Sequence, residues 1–277
     1  MTVQFAGAVS RLWRYAVKSM LGEELERAEV VGSGFFGNRG FALLDVESSR
    51  LVSAKNPAKW GRMFECSARL VERGNAEPPH VEITLTDGRR IGFHDGDFGH
   101  AEEALSELLR RKVRLISARR ELAPLTIEQY HPDIEEDDAR GKTTEFDRSP
   151  EAQTGTFTDL AAVHLVTTAS LEALSALSPS KFDPIRFRPD LLIDTGQAKG
   201  FVEAGWVGKT LAIGDEVRVK VFRECGRCVM TTLPQPELES DTGVLATIMR
   251  HNRGKLGVYA SVVTGGLVRK GDRISLP

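Results

Sequence analysis

The pair Cys225 and Cys228, in "FRECGRCVMTT", accounts for two of only three cysteines in the chain; the third is Cys66. Four kinds of chemistry use such a pair. A structural zinc ion takes four ligands. Here the pair supplies two, Cys66 would supply a third, and no histidine is near in sequence. A thioredoxin-type redox pair sits at a helix start, where the dipole lowers the first thiol's pKa; "VMTT" instead favours an extended chain. A cysteine is also an ordinary small core residue. The fourth use is one thiolate bound to a soft transition metal that an organic cofactor carries, so that the protein donates a single sulfur. Arg223 and Arg227 beside the pair would help keep that sulfur ionised.

An anionic cofactor needs cationic donors, preferably Arg, whose planar fork matches phosphate oxygens. Lys18, followed by Ser19, ends "RLWRYAVKS". Arg39 lies in the apolar "FFGNRGFALL", and Arg186 and Arg188 flank Phe187 in "IRFRPDLLI". Taken singly, each is a solvated or ion-paired strand residue. Together, as charges among apolar strand residues that are costly to bury unpartnered, they are expected to line an anion site. His164, alone in an apolar strand, reads as a satisfied core histidine, and Cys66 as a packing residue.

The elements that must position these groups are mostly strands. "RLWRYAVKS" places Trp13, Tyr15 and Val17 on one face and Arg14 and Lys18 on the other. "ELERAEVV", "RGFALLDVE" and "HVEITLTDGRRIGF" follow as strands, the last with a hairpin-like "TDG" turn. "HAEEALSELLRRK" changes period and reads as a helix, with acids first and bases last. "VRLISA" returns to strand. In the second half, "FTDLAAVHLVTT", "FRPDLLID", "GDEVRVKVFREC", "LGVYASVV" and "GDRISLP" read as strands. "ASLEALSAL" is a short helix capped by Thr167 or Thr168, and "DTGVLATIMRHNRG" a helix capped by Asp241 or Thr242. Between the halves, "HPDIEEDDARGKTTEFDRSPEAQTG" is polar and lacks sustained periodicity, as a linker or a long loop over a site would. Many short strands with few helices predict two β-rich units rather than alternating βαβ.

The 277 residues fit one large domain or two modest ones. Hydrophobic residues are 41% and charged residues 27%, and the net charge is −2, which advertises neither a nucleic acid nor a membrane surface as partner. Three cysteines point to a reducing compartment rather than a disulfide framework. No apolar run approaches a membrane span, and the N-terminal segment alternates like a strand rather than a secretory signal. A cytoplasmic location without membrane insertion is expected.

In order along the chain, "LWRYAVKS", "NRGFALL", "FRPDLLID", "CGRCVMTT" and "LGVYASVVTGGLVRKGD" resemble the MOSC proteins, specifically the branch with the mitochondrial amidoxime-reducing component and its bacterial relatives. The resemblance implies a mixed α+β, β-rich fold, a MOSC β-barrel preceded by an N-terminal β-barrel-containing region with a few helices. It implies residues 1–120 as that N-terminal region, 121–154 as linker or loop and 155–277 as the MOSC domain, with the cofactor site shared between both.

It also implies the molybdenum cofactor, a molybdenum dithiolene on a pterin that bears a phosphate (Mo-molybdopterin). Cys228 would be the metal's thiolate ligand and carry the catalytic centre. Lys18, Ser19, Arg39, Arg188, Asp190 and Tyr259 would bind the cofactor. The expected activity is reduction of N-oxygenated (N-hydroxylated) or S-oxygenated small molecules. With three cysteines the chain lacks the four ligands of an Fe–S cluster, so a separate ferredoxin or flavin reductase is expected as electron donor. The alternative is a cofactor or sulfur carrier without turnover; with no pyridoxal-phosphate domain here, that role would need a desulfurase partner. Three positions depart from the family pattern. Asp190 replaces the Asn of "FRPN", and a carboxylate cannot donate, so its contact must change or it pairs with a nearby Arg. Pro234 replaces the Asp of "TTxDP", and Leu160–Ala161 replace Thr-Ser.

Overall fold

The structure, a computed structural model, describes residues 4–71, 80–121, 125–133, 138–147 and 155–276. The chain opens with β1 (Gln4–Arg14), β2 (Glu23–Leu25), β3 (Arg27–Val31), β4 (Gly34–Phe35) and β5 (Phe41–Asp45). A short α1 (Pro57–Trp60), β6 (Ser67–Val71), β7 (His80–Thr84), β8 (Arg90–His94), α2 (Gly99–Leu109) and β9 (Val113–Ser117) follow, then β10 (Thr126–Asp133) and β11 (Asp138–Asp147). The second half runs β12 (Val163–Thr167), α3 (Thr168–Ser175), β13 (Leu191–Asp194), β14 (Thr210–Ile213), β15 (Val217–Gly226), α4 (Thr242–Asn252), β16 (Lys255–Thr264), β17 (Gly266–Arg269) and β18 (Arg273–Leu276).

Seven strands in the order β13-β12-β16-β15-β14-β18-β1 form a barrel that closes where β1 pairs with β13. β12 and β13 are parallel, joined by α3, and the other barrel pairs are antiparallel. Alternation explains the strand faces: Val217, Val219 and Val221 of β15 are buried in the barrel core with Val9, Leu12, Leu165, Ile193 and Val258. β1 bends around the barrel with register shifts at Phe5/Gly7 and Val9/Arg11. Gly7, at φ 148, is required there, because a Cβ would lie 2.5 Å from the Asp194 carbonyl oxygen. Thr167 caps α3 by accepting from Ser170 N, and Asp241 caps α4 by accepting from Gly243 N, each one of the two candidates expected.

The N-terminal part builds a second core. Small sheets (β5–β9 and β6-β7-β8) and α2 enclose Ala16, Val17, Phe41, Leu43, Met63, Cys66, Ile83, Phe93, Leu105 and Leu115 in a barrel-like arrangement. Cys66 is fully buried there, as a packing residue. The stretch expected as a linker or loop contains the antiparallel hairpin β10–β11; residues 122–124, 134–137 and 148–154 of it lie outside the described residues. The hairpin escapes a periodicity reading because one buried apolar residue, Ile127, is surrounded by polar ones. It is pinned instead by Glu128, which accepts from Lys59, Asn56 and Arg50.

Three expected strand assignments need correction, and all three bear on the site. "RLWRYAVKS" leaves the ladder at Arg14: Tyr15 N donates to Asn38 Oδ1 and Lys18 N to Phe41 O, so the chain turns from barrel to second core. "FRPD" is not strand either; Pro184–Phe187 form a 3-10 turn that ends at Arg188. "VMTT", expected to be extended, is a 3-10 turn too (Val229–Thr232), with the Thr231 and Thr232 hydroxyls donating to Cys228 O and Val229 O. Alternation shows where side chains fall but not which segment takes the backbone bonds. Among the described residues no helix is long and apolar enough to cross a membrane.

Candidate cofactor site

A cavity of about 340 Å³ lies where the barrel meets the N-terminal core. Turns supply most of its charged wall, and strand residues such as His164 of β12 and Tyr259 of β16 complete it. Lys18 and Ser19 follow β1, Arg39 precedes β5, and Ser53 and Lys55 come from the loop before α1. Arg188 and Asp190 precede β13, Arg227 and Cys228 follow β15, and Tyr259 stands in β16. The seven positions that the family resemblance implied meet at one cavity: Lys18, Ser19, Arg39, Arg188, Asp190, Cys228 and Tyr259. Arg186 turns away from it and donates to Thr231 O, Leu233 O and Glu239 O.

The turns carry strain. Ser19 (φ 64), Arg39 (φ 49) and Arg188 (φ 52) are three of the six non-glycine residues in the left-handed region among the described residues. Each such residue costs about 1–2 kcal/mol, and such residues persist where surrounding structure dictates them, often at binding sites. Here the surrounding bonds are Arg39 N to Tyr15 O at 2.6 Å, Phe157 N to Arg39 O at 2.6 Å and Arg188 N to Ile185 O at 3.2 Å.

The electrostatics favour an anion. Five cations line the wall (Lys18, Arg39, Lys55, Arg188 and Arg227) against two carboxylates, Asp159 and Asp190. Asp190, 1% exposed, is consumed inside the protein. Its Oδ1 accepts from Asn38 Nδ2 at 2.8 Å and Arg39 Nη1 at 3.3 Å, and its Oδ2 from His164 N at 2.8 Å. The residue that departs from the family motif thus holds Arg39 in place. Arg188 is buried, its guanidinium carbon 4.3 Å from the Tyr15 ring centre and 5.3 Å from that of Phe64. Its Nη2 is buried without a partner. Burial lowers the Arg188 pKa to about 10 and that of Lys18 to about 8, so both are charged at neutral pH. Lys18 Nζ donates to Phe157 O at 3.0 Å and to Asp159 Oδ1, and Lys55 Nζ lies 2.8 Å from Asp159 Oδ2. Burial alone would raise the Asp159 pKa, but the two lysines outweigh it and hold the group below the usual carboxylate range.

Arg227 organises the sulfur end. Its Nη1 donates to Cys225 Sγ at 2.8 Å and its Nη2 to Phe187 O at 2.7 Å, while Nε is buried without a partner. Arg223 is not among the lining residues. Cys225, 1% exposed, does not line the cavity, whereas Cys228 does and is partly exposed. All three cysteines are free thiols, and among the described residues no three His, Cys, Asp or Glu side chains gather as a metal-binding group. A closed four-ligand zinc site therefore has no ligand set among them. Burial, with the Cys225 sulfur beside it, holds the Tyr259 hydroxyl well above its ordinary pKa, so it stays protonated.

His164 is the satisfied core histidine expected, and it also walls the cavity. Its Nε2 lies 3.3 Å from Arg227 Nη1, and a guanidinium only donates, so Nε2 accepts and Nδ1 donates to Arg188 O at 3.4 Å. Burial, then Arg227, lowers its pKa from 6.5 to about 3. The unfolded chain takes up this proton near 6.5 while the folded chain refuses it, so the stability contribution is intact above 6.5 and lost as pH falls toward 3. Between pH 6.5 and about 4.5 the loss amounts to about 2–3 kcal/mol. Thermal melts of a His164→Gln variant should accordingly depend less on pH across that window than those of the unsubstituted chain. Equal slopes would show that His164 is not the group responsible.

The donor set fits a ligand with anionic oxygens and a soft metal: buried guanidinium N–H groups with no partner, an excess of cations and one accessible thiol. Sequence reasoning passed over Lys55, Asp159 and the cavity role of His164. Lys55 sits in a loop without periodicity, and Asp159 falls in "FTDLAAVHLVTT", expected as strand throughout, whereas β12 begins only at Val163 and leaves Asp159 in the loop before it. Arg227 carried a signal, its place between the two cysteines.

The family model of the MOSC domain matches residues 152–275. Mitochondrial amidoxime reducing component 2 of Rattus norvegicus is 25% identical over 261 residues, covering 88% of this chain and 70% of that protein. Mitochondrial amidoxime-reducing component 1 of Danio rerio is 29% identical over 287 residues, covering 97% of this chain and 84% of that protein. The crystal structure of the YuaD protein from Bacillus subtilis aligns with a TM-score of 0.45 at 11% identity, covering 100% of this chain and 96% of that one. The matched span leaves out β1, yet β1 supplies the barrel's seventh strand and leads directly to Lys18. Residues 152–275 are a MOSC domain, completed here by an N-terminal strand, in a chain with distant homology to the mitochondrial amidoxime-reducing components.

Proposed function

We propose that the chain binds the molybdenum cofactor and acts in the cytoplasm as a reductase of N-oxygenated or S-oxygenated small molecules, taking electrons from a separate ferredoxin or flavin reductase. The observation that carries this reading is Arg188, whose buried, partnerless Nη2 shares a cavity with Lys18, Arg39 and the accessible thiol of Cys228. MOSC domains are associated with molybdenum cofactor binding. The two relatives are named for reducing amidoximes, which are N-hydroxylated compounds.

When bound, the cofactor supplies the redox chemistry. The chain's residues supply the rest. Cys228 donates one sulfur to the metal, and Arg188, Arg39, Lys18 and Ser19 hold the anionic oxygens. Asp190 acts through Arg39, fixing its guanidinium. Tyr259, protonated, offers a neutral donor, and neutral His164 accepts from Arg227 so that the sulfur end stays in register. Residues 1–120 and 155–277 are read as two parts that share the site. In the free protein Lys18 loses its charge as pH rises through about 8, and its hold on an anion weakens there.

The test is expression in a host that makes the cofactor, followed by elemental analysis and by assay of an N-hydroxylated amidine with an artificial electron donor. Near-stoichiometric molybdenum with turnover supports the reading. Molybdenum without turnover points to a carrier, and no molybdenum overturns the reading altogether.

A further inference from the structure

Three segments far apart in sequence meet at Asp159. Lys18 arrives from the turn after β1 and Lys55 from the loop before α1, each taking one carboxylate oxygen. The side chains of Lys18 and Lys55 are 6% and 13% exposed, and that of Asp159 is 30% exposed, so the acid is the most accessible of the three. Two ammonium groups this deep repel each other and are costly to desolvate. One carboxylate cannot neutralise both, and the other acid of the wall, Asp190, is already engaged by Asn38, Arg39 and His164.

The two lysines are anchored differently. Lys18 keeps Phe157 O as a second acceptor. Lys55 Nζ has Asp159 and the face of the Phe146 ring, 4.6 Å away, as its contacts among the described residues. A carboxylate also presents two oxygens at nearly the spacing of two oxygens of a phosphate.

Extending the anion-binding reading above, we propose that Asp159 is a resident anion. It holds the place between Lys18 and Lys55 that the phosphate of an incoming ligand takes, and Lys55 becomes a phosphate-holding residue once Asp159 is displaced. The exchange also sets a preference. A monocarboxylate brings the lysines nothing that the tethered Asp159 does not already supply. A phosphate dianion brings a second charge and a third oxygen. The lysines are thus kept charged and close together before a ligand arrives, and weak anions are turned away.

The experiment is calorimetric titration of inorganic phosphate, and separately of acetate, into the full chain near neutral pH. Asp159→Asn should bind phosphate about five- to tenfold more tightly than the unsubstituted chain, and Lys55→Ala about as much more weakly, the change expected from one partly exposed charge pair. Acetate should bind the Asp159→Asn chain and not the unsubstituted one. If Asp159→Asn does not fold, Asp159→Ser serves in its place. An Asp159 variant that binds phosphate no more tightly, an unchanged Lys55→Ala, or no phosphate binding by any of the chains overturns the inference. The readout is heat with phosphate alone, so its failure leaves the molybdenum reading to elemental analysis, and failure of that analysis leaves these titrations interpretable.

Discussion

A Cys228→Ala chain, made in a cofactor-competent host, is expected to keep its fold and lose its molybdenum. Cys228 is partly exposed, and its side chain makes no capping bond to the 3-10 turn that follows it. Removing one such sulfur should change stability by no more than about 0.5 kcal/mol. The metal, by contrast, would lose its protein ligand. Losing even a residue that only supports a ligand costs about 10–100-fold in metal affinity, so Cys228→Ala should weaken binding by at least about tenfold, read as a reduced molybdenum content. Cys225→Ala makes the internal control. That sulfur is buried and accepts from Arg227, so its loss should destabilise the chain by about 1–3 kcal/mol while molybdenum is largely retained. Elemental analysis beside urea unfolding of both variants decides the matter. If Cys225→Ala emptied the chain of metal and Cys228→Ala did not, the two cysteines would have to exchange roles.

The second large effect is expected at Asp190, where Asn would restore the motif of the related proteins. All three groups facing the Asp190 side chain are donors: Asn38 Nδ2 and Arg39 Nη1 at Oδ1, His164 N at Oδ2. An Asn amide must turn its NH₂ toward one of them in either orientation. Asn38 cannot compensate by flipping, because its Oδ1 accepts from Tyr15 N at 2.9 Å. Asp190→Asn should therefore cost about 2–4 kcal/mol, combining a lost buried charge partner for Arg39 with an unsatisfied donor. Urea denaturation measures it directly. A neutral or stabilising outcome would mean that Asp190 is not the buried acceptor that holds Arg39. Released from its partner, Arg39 would also hold an anionic ligand less firmly, so cofactor content should fall with stability.

How far the site was legible depends on the kind of signal each residue leaves. Lys18, Arg39 and Arg188 stood out because charge among apolar residues is costly to bury, and that cost is visible in a string of letters. The alternation of Val217, Val219 and Val221 carried through to a buried face, as did Val244, Leu245 and Ile248 of the apolar stripe expected on α4, whereas its fourth member, Met249, is 44% exposed. Lys55 left no such trace, and Asp159, taken as one residue of a strand, was not connected to it, because their partnership spans more than a hundred positions. The cations were expected on strands and were found in turns, because "VKS" and "FRPD" alternate like strands while their backbone bonds go to Phe41 and Ile185.

From the sequence alone came the inventory of the site: two thiols beside arginines, cations in apolar settings, and strand and helix periods sufficient for β-rich units with few helices, the barrel being implied by the family resemblance. These follow from local chemistry, since period and residue type are properties of one segment at a time. The tertiary structure alone decided the rest. It brought β1 to close a barrel made otherwise from the second half, gave Asp190 to Arg39, left one nitrogen of Arg188 without a partner and set Asp159 between two lysines. Burial, and the partner that compensates it, are properties of segments that meet only once the chain has folded.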